Sequence, residues 1–438
     1  MLPTSETEEF DALVLGAGIS GLISTSVLLR EECRSVLVVD EYPAPGGNHI
    51  DCGIGDYTFD VGSYIFQDDS PLLEHFPDLL PLYIPITPTW ARLTPSGIVT
   101  RYPISIRDDV LLPGPIEWIR ILCSLIVSRL FFRRIQNAKD FATYWIGARL
   151  MRRSGLEYFL DRFYGVPAEE IDVVFAEKRM LWIREHATLR NFIHRLVVPP
   201  VKSPTNRQLA RPKQGFGFLY RRATARLERD GATFLLGVKM RRIERRLGKF
   251  VVELDDRRVT AKRLVSTIPL DRIQNLCGLS SEGQLRTVIL ITLFYSFSGE
   301  RGFTDCILYN FSKEGLWKRL TVHSDFYGKS NGREFFSVEI NSDPINGDVS
   351  EADRDFRKHV GENGLFSGEL RLEGSHTLAN AYPIYTAGAD MRAKQARAKL
   401  LKLGVESLGR QGAFDYQPTA RDSTLKAESA LRGGSPKR

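Results

Sequence analysis

The sequence predicts an α/β fold in which one sheet is assembled from discontinuous segments, with a helical insertion and a second, mixed sheet. Three observations carry this. The chain opens on a short apolar run of strand type, Asp11–Leu15, followed at once by Gly16-Ala-Gly18-Ile-Ser-Gly21 and then by a helix-forming stretch, Leu22–Arg30. Between roughly Tyr102 and Arg211 the pattern changes to long helical stretches with Arg, Trp and Phe. Strand patterns return after Gly231 and continue to Ile340.

Taken in order, the elements divide the chain at 101, 211, 280, 388 and 431. Residues 1–101 hold the first part of the sheet, with a second strand, Ser35–Val39, ending in Asp40. Residues 102–211 are a helical insertion that includes Phe141–Arg153 and Leu156–Phe163. Residues 212–280 return to the first sheet through Ala232–Val238, Phe250–Leu254 and Val259–Ile268. Residues 281–388 build a second sheet, clearest at Thr287–Phe297, Cys306–Phe311 and Phe335–Ile340. Residues 389–431 close the first domain with a helix over Ala389–Leu408, the segment Gly409–Tyr416 and a last helix over Thr424–Leu431, before a tail at 432–438.

Composition narrows the function classes. A chain of 438 residues, 43% hydrophobic and 26% charged, has enough apolar surface for several cores and is not a disordered or fibrous protein. Its five cysteines show no CxxC pair, which argues against a disulfide framework or a structural zinc site and favours a reducing compartment. A formal net charge of +7 suits an anionic small molecule. The densest basic patches, Arg241–Arg246 and Arg392–Lys402, lack interleaved aromatics and read as solvated faces, so nucleic acid is not an expected partner. The start, MLPTSETEEF, is acidic and polar, the reverse of a signal peptide, and a cytoplasmic location is expected. The apolar stretch Trp118–Phe132 is interrupted by Arg120 and Arg129 and is too short to span a bilayer. It reads first as a buried amphipathic helix and, alternatively, as a helix resting on a membrane surface with help from Arg133 and Arg134.

The glycine motif carries the chemistry. In a GxGxxG turn between a strand and a helix, Gly16 makes the turn, Gly18 lets a phosphate approach, and Gly21 lets helix and strand pack closely. Asp40 ends the next strand, where an acid accepts hydrogen bonds from an adenosine ribose. This is a Rossmann-like dinucleotide site. Gly46-Gly47-Asn48 follows closely and allows a second close backbone approach, a feature that favours FAD over NAD.

At these residues the chain resembles a known family. DALVLGAGISGL, VLVVDEYPAPGGN and FDVGSYIF are similar to the FAD-binding N-terminus of amine oxidases, phytoene desaturases, protoporphyrinogen oxidase and UDP-galactopyranose mutase. GATFLLGVKMRRIE and RLVSTIPL resemble the returning strands of that domain, which implies that Val238 lies near the adenine. Gly409-Arg410-Gln-Gly412 resembles the element closing over the isoalloxazine and pyrophosphate. The mutase branch is the nearest likeness, through Phe163-Tyr164-Gly165-Val-Pro167, Lys178-Arg179, Trp317-Lys-Arg319, and Gly409-Arg410 with Tyr416. In that branch arginines and tyrosines clamp the diphosphate of a nucleotide sugar, which implies substrate contacts at Tyr64, Tyr164, Arg179, Arg319 and Tyr416.

Three departures surround the flavin position. Tyr64 stands where the mutase has a histidine, Leu320-Thr-Val-His323 follows Arg319 where it has an acid and a Lys-His pair, and Pro418 stands where it has an acid. The expected function is therefore an FAD-dependent oxidoreductase that moves a hydride from an organic substrate to flavin N5, with a non-redox mutase-like isomerase of a nucleotide sugar as the alternative. No HExxH, GxSxG or P-loop is present, and the histidines have no metal-ligand spacing. His49 is placed either near the flavin or as a filler of its turn, Cys52 is not expected to be redox-active, and Trp145, Tyr158 and Trp182 are expected in a helical core.

Overall fold

The computed structural model describes residues 8–31, 33–62, 64–131, 134–180, 206–280, 283 and 285–433, leaving out the side chains of 106, 179 and 433. The first sheet runs in the order β10 (Ala232–Leu236), β2 (Val36–Asp40), β1 (Glu8–Leu15), β13 (Arg258–Ser266), β12 (Lys249–Leu254) and β11 (Met240–Arg246), and β19 (Val405–Ser407) also pairs with β13. Its central strands are parallel, with Glu8 opposite Val259 and Ala12 opposite Val36. Strands covered on both faces need apolar residues at every position, and Ala12–Leu15 and Val36–Val39 are all fully buried. The helix Ile19–Glu31 leaves the tip of β1 and is sandwiched between this sheet and the C-terminal helix Ala420–Gly433.

The second sheet follows the order β18 (Phe366–Pro383), β14 (Thr287–Arg301), β17 (Glu334–Asn341), β16 (Trp317–Val322), β15 (Ile307–Asn310), β7 (Trp90–Leu93) and β8 (Val99–Arg101). The sequence grouped residues up to 101 with the first sheet, whereas β7 pairs in parallel with β15 and belongs to the second. β18 escaped sequence reading because it is an edge strand carrying Gly, Ser, His and Asn, with an exposed or half-buried side chain at nearly every position. Three short strands, β5 (Phe66–Gln67), β9 (Gln208–Ala210) and β6 (Ile84–Ile86), and the hairpin of β3 (Asp51–Ile54) and β4 (Tyr57–Asp60) fill the space between. The helix expected over Ala389–Leu408 ends at Lys402, because Gly404 adopts a positive φ of 86° and the chain turns into β19.

A layer of helices, Pro115–Phe131, Ala138–Ile146, Ala148–Ser154, Leu156–Tyr164 and Val173–Arg179, packs against the second sheet through a shared core. Phe141 is buried in it, Trp145 and Tyr158 are half-buried, and Trp182 lies outside the described residues. The first of these helices corrects an expectation: most of its apolar side chains, including Trp118, Ile119, Leu122 and Ile126, are exposed. No helix among the described residues is long and apolar enough to cross a membrane.

A buried ion pair joins the hairpin of β3 and β4 to the segment after β9. Arg211 donates to Asp60 at the end of β4, and their side chains are almost fully buried. A second Arg211 nitrogen donates to Thr58 O at 2.7 Å, and Tyr327 Oη donates to the other Asp60 oxygen at 3.1 Å. On β14, Thr292 Oγ1 donates to Val61 O at 2.8 Å, so the same corner also grips the second sheet. Removing one partner of a buried pair leaves a desolvated charge. Asp60→Ala should therefore cost about 3–5 kcal/mol of stability, read as a lower midpoint in urea denaturation of the purified chain.

Candidate active site

The floor of the site is the turn after β1. Gly16 has a φ of 101°, and a Cβ there would meet Thr267 Oγ1 at 2.4 Å. A Cβ on Gly21 would stand 1.8 Å from Gly16 O, so the first turn of the helix is pressed onto the strand end with no room for a side chain. The first N–H groups of that helix lack intrahelical partners by geometry and offer donors and positive potential to an anion.

The second glycine pair packs onto the first. Gly46 N donates to Ala17 O at 2.9 Å, Gly18 and Gly46 form a parallel bridge, and a Cβ on Gly47 would lie 2.9 Å from Gly18 Cα. Asp40 is fixed at the tip of β2, with Oδ2 accepting from Ala17 N at 2.6 Å and Oδ1 from Tyr42 N at 2.8 Å. Burial raises its pKa against these two bonds, which lower it. Val238 does not line the cleft; its N–H donates to Asp40 O at 3.2 Å, which sets it beside the acid. Asn48 reaches across to the second sheet, donating through Nδ2 to Ala381 O at 2.7 Å.

Above this floor opens a cleft of about 760 Å³, lined by both glycine turns, Asp40, the end of β18 and the segment from Arg410 to Ser423. Tyr64, Tyr164, Arg319, Arg410 and Tyr416 all line it. Tyr64 Oη donates to Asn48 O. Tyr164 and Tyr416 meet Phe175 edge to face, with centroids 5.2 and 5.1 Å away. Gly165, with a φ of 68°, ends the helix below Tyr164, and a Cβ there would touch Asn341 Nδ2 at 3.1 Å. Arg179 is the last residue of the helix Val173–Arg179, and its side chain lies outside the described atoms, as does Ser63.

Two cations share one acid in the wall. Arg319 Nε donates to Glu339 Oε1 at 2.7 Å and Nη2 to the same oxygen at 2.5 Å. Lys318, at the bulge between β16 and β17, is fully buried, donates to Asn341 Oδ1 at 3.2 Å and lies 3.9 Å from Glu339. Its ammonium sits 4.4 Å from the Tyr382 ring centroid and 5.1 Å from that of Phe163. Burial still lowers its pKa to about 7, with Glu339 opposing the shift. Arg410 differs from Arg319: its guanidinium has no hydrogen-bond or ion-pair partner among the described residues.

His49 lines the cleft and is also packed into its turn. Its ring contacts Tyr64, Phe66, Phe216 and Tyr220, and Nδ1 is bonded to Tyr220 Oη. Burial lowers its pKa to about 3, with Arg410 as the second cause, so the imidazole is neutral. Burial pushes the Cys52 thiol up to about 11, away from the reactive thiolate. Sequence reading missed Glu339, Tyr385 and Gln417. The first is paired across two strands, and the others follow segments without a periodic signal.

These residues fit a bound FAD. The glycine contacts leave a cradle that any Cβ would fill, Asp40 presents a carboxylate at its rim, and two buried polar atoms in the cleft lining, Tyr385 Oη and Gln417 Oε1, have no hydrogen-bond partner among the described residues. Gly47→Val, which strains a φ of 62° and fills the contact with Gly18, should lower dinucleotide occupancy more than tenfold, read from the cofactor released on denaturation. Lys318 makes a separate prediction. Its native pKa of about 7 lies below the free amine's 10.5, so the folded chain binds fewer protons between these values and this residue makes stability rise with pH across that window. Denaturation midpoints followed from pH 7 to pH 10 should show that rise in the native chain and lose it in Lys318→Met.

The comparisons agree with this geometry. Residues 14–79 match the model of an NAD(P)-binding Rossmann-like domain. Prolycopene isomerase 2 from an Oncidium hybrid cultivar is 43% identical over 60 residues, 14% of this chain and 10% of that protein. The Arabidopsis thaliana prolycopene isomerase is 45% identical over 56 residues, 13% and 9% of the two chains. The matched region thus spans about a tenth of the length of these curated relatives. Among solved structures, a reduced UDP-galactopyranose mutase aligns over 98% of this chain and 96% of its own, with a TM-score of 0.78 at 17% identity. Cyclohexylamine oxidase from Brevibacterium oxydans aligns over 97% and 98%, with a TM-score of 0.66 at 15% identity. A fatty acid isomerase from P. acnes aligns over 98% and 100%, with a TM-score of 0.64 at 10% identity. A Rossmann-like dinucleotide-binding segment therefore sits within an overall fold shared with solved UDP-galactopyranose mutase and cyclohexylamine oxidase structures.

Proposed function

We propose that this chain is an FAD-dependent oxidoreductase that takes a hydride from a small organic substrate in the aromatic-walled cleft. The turn Gly16, Gly18 and Gly21 holds the pyrophosphate, Asp40 accepts from the ribose, Val238 flanks the adenine, and Gly46, Gly47 and Asn48 complete the cofactor contacts, which leaves Arg410 to the substrate. Bound FAD supplies a two-electron acceptor. The chain's own residues orient the substrate and exclude water: Tyr64, Tyr164 and Tyr416 form apolar walls with polar tips. None of the five cysteines, Cys33, Cys52, Cys123, Cys277 and Cys306, is in a disulfide, and a reducing compartment, the cytoplasm, suits the chain.

The observation that carries this reading is the Arg319–Glu339 pair. A diphosphate clamp needs guanidinium groups free to fork onto phosphate, and Arg319 already gives two donors to Glu339. Arg410 is left as the cleft-lining arginine without a partner among the described residues, which suits a substrate with at most one anionic group. The second reading, a mutase-like isomerase of a nucleotide sugar, is supported by Arg319, Arg410, Tyr164 and Tyr416 lining a single cleft, and Arg179 would join them there.

Electron balance separates the two. The purified chain should be yellow and release FAD. Under anaerobic conditions an oxidisable substrate, with amines and other small hydride donors tried in turn, should bleach it stoichiometrically as the donor is oxidised. Turnover of a UDP-sugar that requires dithionite and consumes no electrons would replace this reading with the isomerase. Arg410→Ala should weaken binding of an anionic substrate roughly ten- to a hundredfold. A drop in FAD content instead would assign Arg410 to the cofactor.

A further inference from the structure

The helix Pro115–Phe131 is built inside out. Its inward face carries Glu117, Ile121, Ser124 and Ser128, of which Glu117, Ile121 and Ser128 are buried. Polar bonds hold that face: Glu117 accepts from Arg149 Nε at 2.5 Å and from Arg149 Nη2 at 2.7 Å, and Arg149 N donates to Ser124 Oγ at 3.1 Å. Gly147 lets the next helix approach, because a Cβ there would lie 3.0 Å from Leu125 N. The outward face is apolar. Ile119 is 63% exposed, Leu122 55%, Ile126 51%, Leu130 55% and Phe131 77%, and Leu112, just before the helix, is 67% exposed. A helix on a globular protein in water puts these residues inward. Reversed polarity over four turns fits a face whose surroundings are apolar.

The charges around the face identify what covers it. At 100° per residue Arg120 and Arg129 fall on opposite flanks of the apolar stripe. Arg107, Arg134, Arg152 and Arg153 are exposed on the neighbouring segments, while every described acid between residues 101 and 160 is buried or half-buried. An apolar ridge bordered by arginines on both sides matches the acyl boundary and the phosphate level of an anionic bilayer. A protein interface would place apolar partners opposite the ridge without calling for exposed arginines at both margins.

We propose that the helix Pro115–Phe131 is a monotopic docking element, lying in the plane of an anionic membrane surface with Ile119, Leu122, Ile126 and Leu130 immersed. It crosses nothing, and it leaves Glu117 and the serines facing the protein. The proposal stands independently of the reaction in the cleft.

The test is vesicle co-sedimentation of the purified full chain. Vesicles of 70% phosphatidylcholine and 30% phosphatidylglycerol should pull the chain down, and pure phosphatidylcholine vesicles should bind it at least tenfold more weakly. The variant Ile119→Glu/Ile126→Glu should lose at least tenfold of the binding, with its cofactor content and thermal midpoint unchanged. The native chain gives a second readout, since Cys123 lies on this face and is the exposed cysteine among the five. Its labelling by a water-soluble maleimide should slow severalfold when anionic vesicles are added. Absence of binding to either vesicle, or binding unaffected by the double variant together with unprotected Cys123, would overturn the proposal. So would a dimer in light scattering that the double variant converts to monomer without any vesicle binding, because a second copy would then be the occupant.

Discussion

Contact between two stretches of bare backbone governs the site. Gly18 and Gly47 face each other so closely that a Cβ on Gly47 would lie 2.9 Å from Gly18 Cα. A third segment joins them, since a Cβ on Gly409 would meet Ser20 Oγ at 2.7 Å. Glycine alone makes such approaches inexpensive, through the missing Cβ and access to positive φ. The position of Asp40 follows from this meeting, because its carboxylate is held by the N–H of Ala17 inside the first turn. The cleft above exists because three loops from distant parts of the chain occupy the volume that side chains would otherwise fill.

What the sequence revealed follows from the same physics. Gly16, Gly18, Gly21 and Asp40 were legible because each is forced by a local backbone constraint, and local constraints leave fixed spacings. The central strands were legible because burial on both faces leaves continuous apolar runs, as at Leu13–Leu15 and Val36–Val39. β18 was not, because one edge of an edge strand faces water and its composition is that of a loop. The assignment of β7 to the second sheet was equally hidden, since its parallel partner β15 lies more than two hundred residues away. The burial expected for the helix Pro115–Phe131 failed for a different reason: periodicity gives an apolar face but not the direction in which it points.

Electrostatics of the cleft wall were the least legible part. Arg319 could be named as a candidate anion binder, yet its charge is answered by Glu339 on the neighbouring strand, twenty residues on. The bulge at Lys318 brings a second cation to the same acid and tucks it between Phe163 and Tyr382. Buried cations that share one carboxylate are costly to desolvate, and here the cost appears as an amine whose proton is loosely held. An arginine's charge is visible in a sequence; whether it is already spent depends on a register that is not.

The parallel pairing of β1 with β13 has a consequence for biosynthesis. Glu8 pairs with Val259, so about 250 residues must emerge from the ribosome before the strand bearing the glycine turn gains that neighbour. At typical elongation rates this is a delay of roughly 10–50 s. Throughout it, the apolar edge of β1 depends on β2 and the helix Ile19–Glu31 for cover, and the last partner of β13, Val405–Ser407, is made later still. The nascent chain therefore carries an unfinished, adhesive sheet edge for most of its synthesis, and chaperone engagement early in translation becomes a condition of its yield.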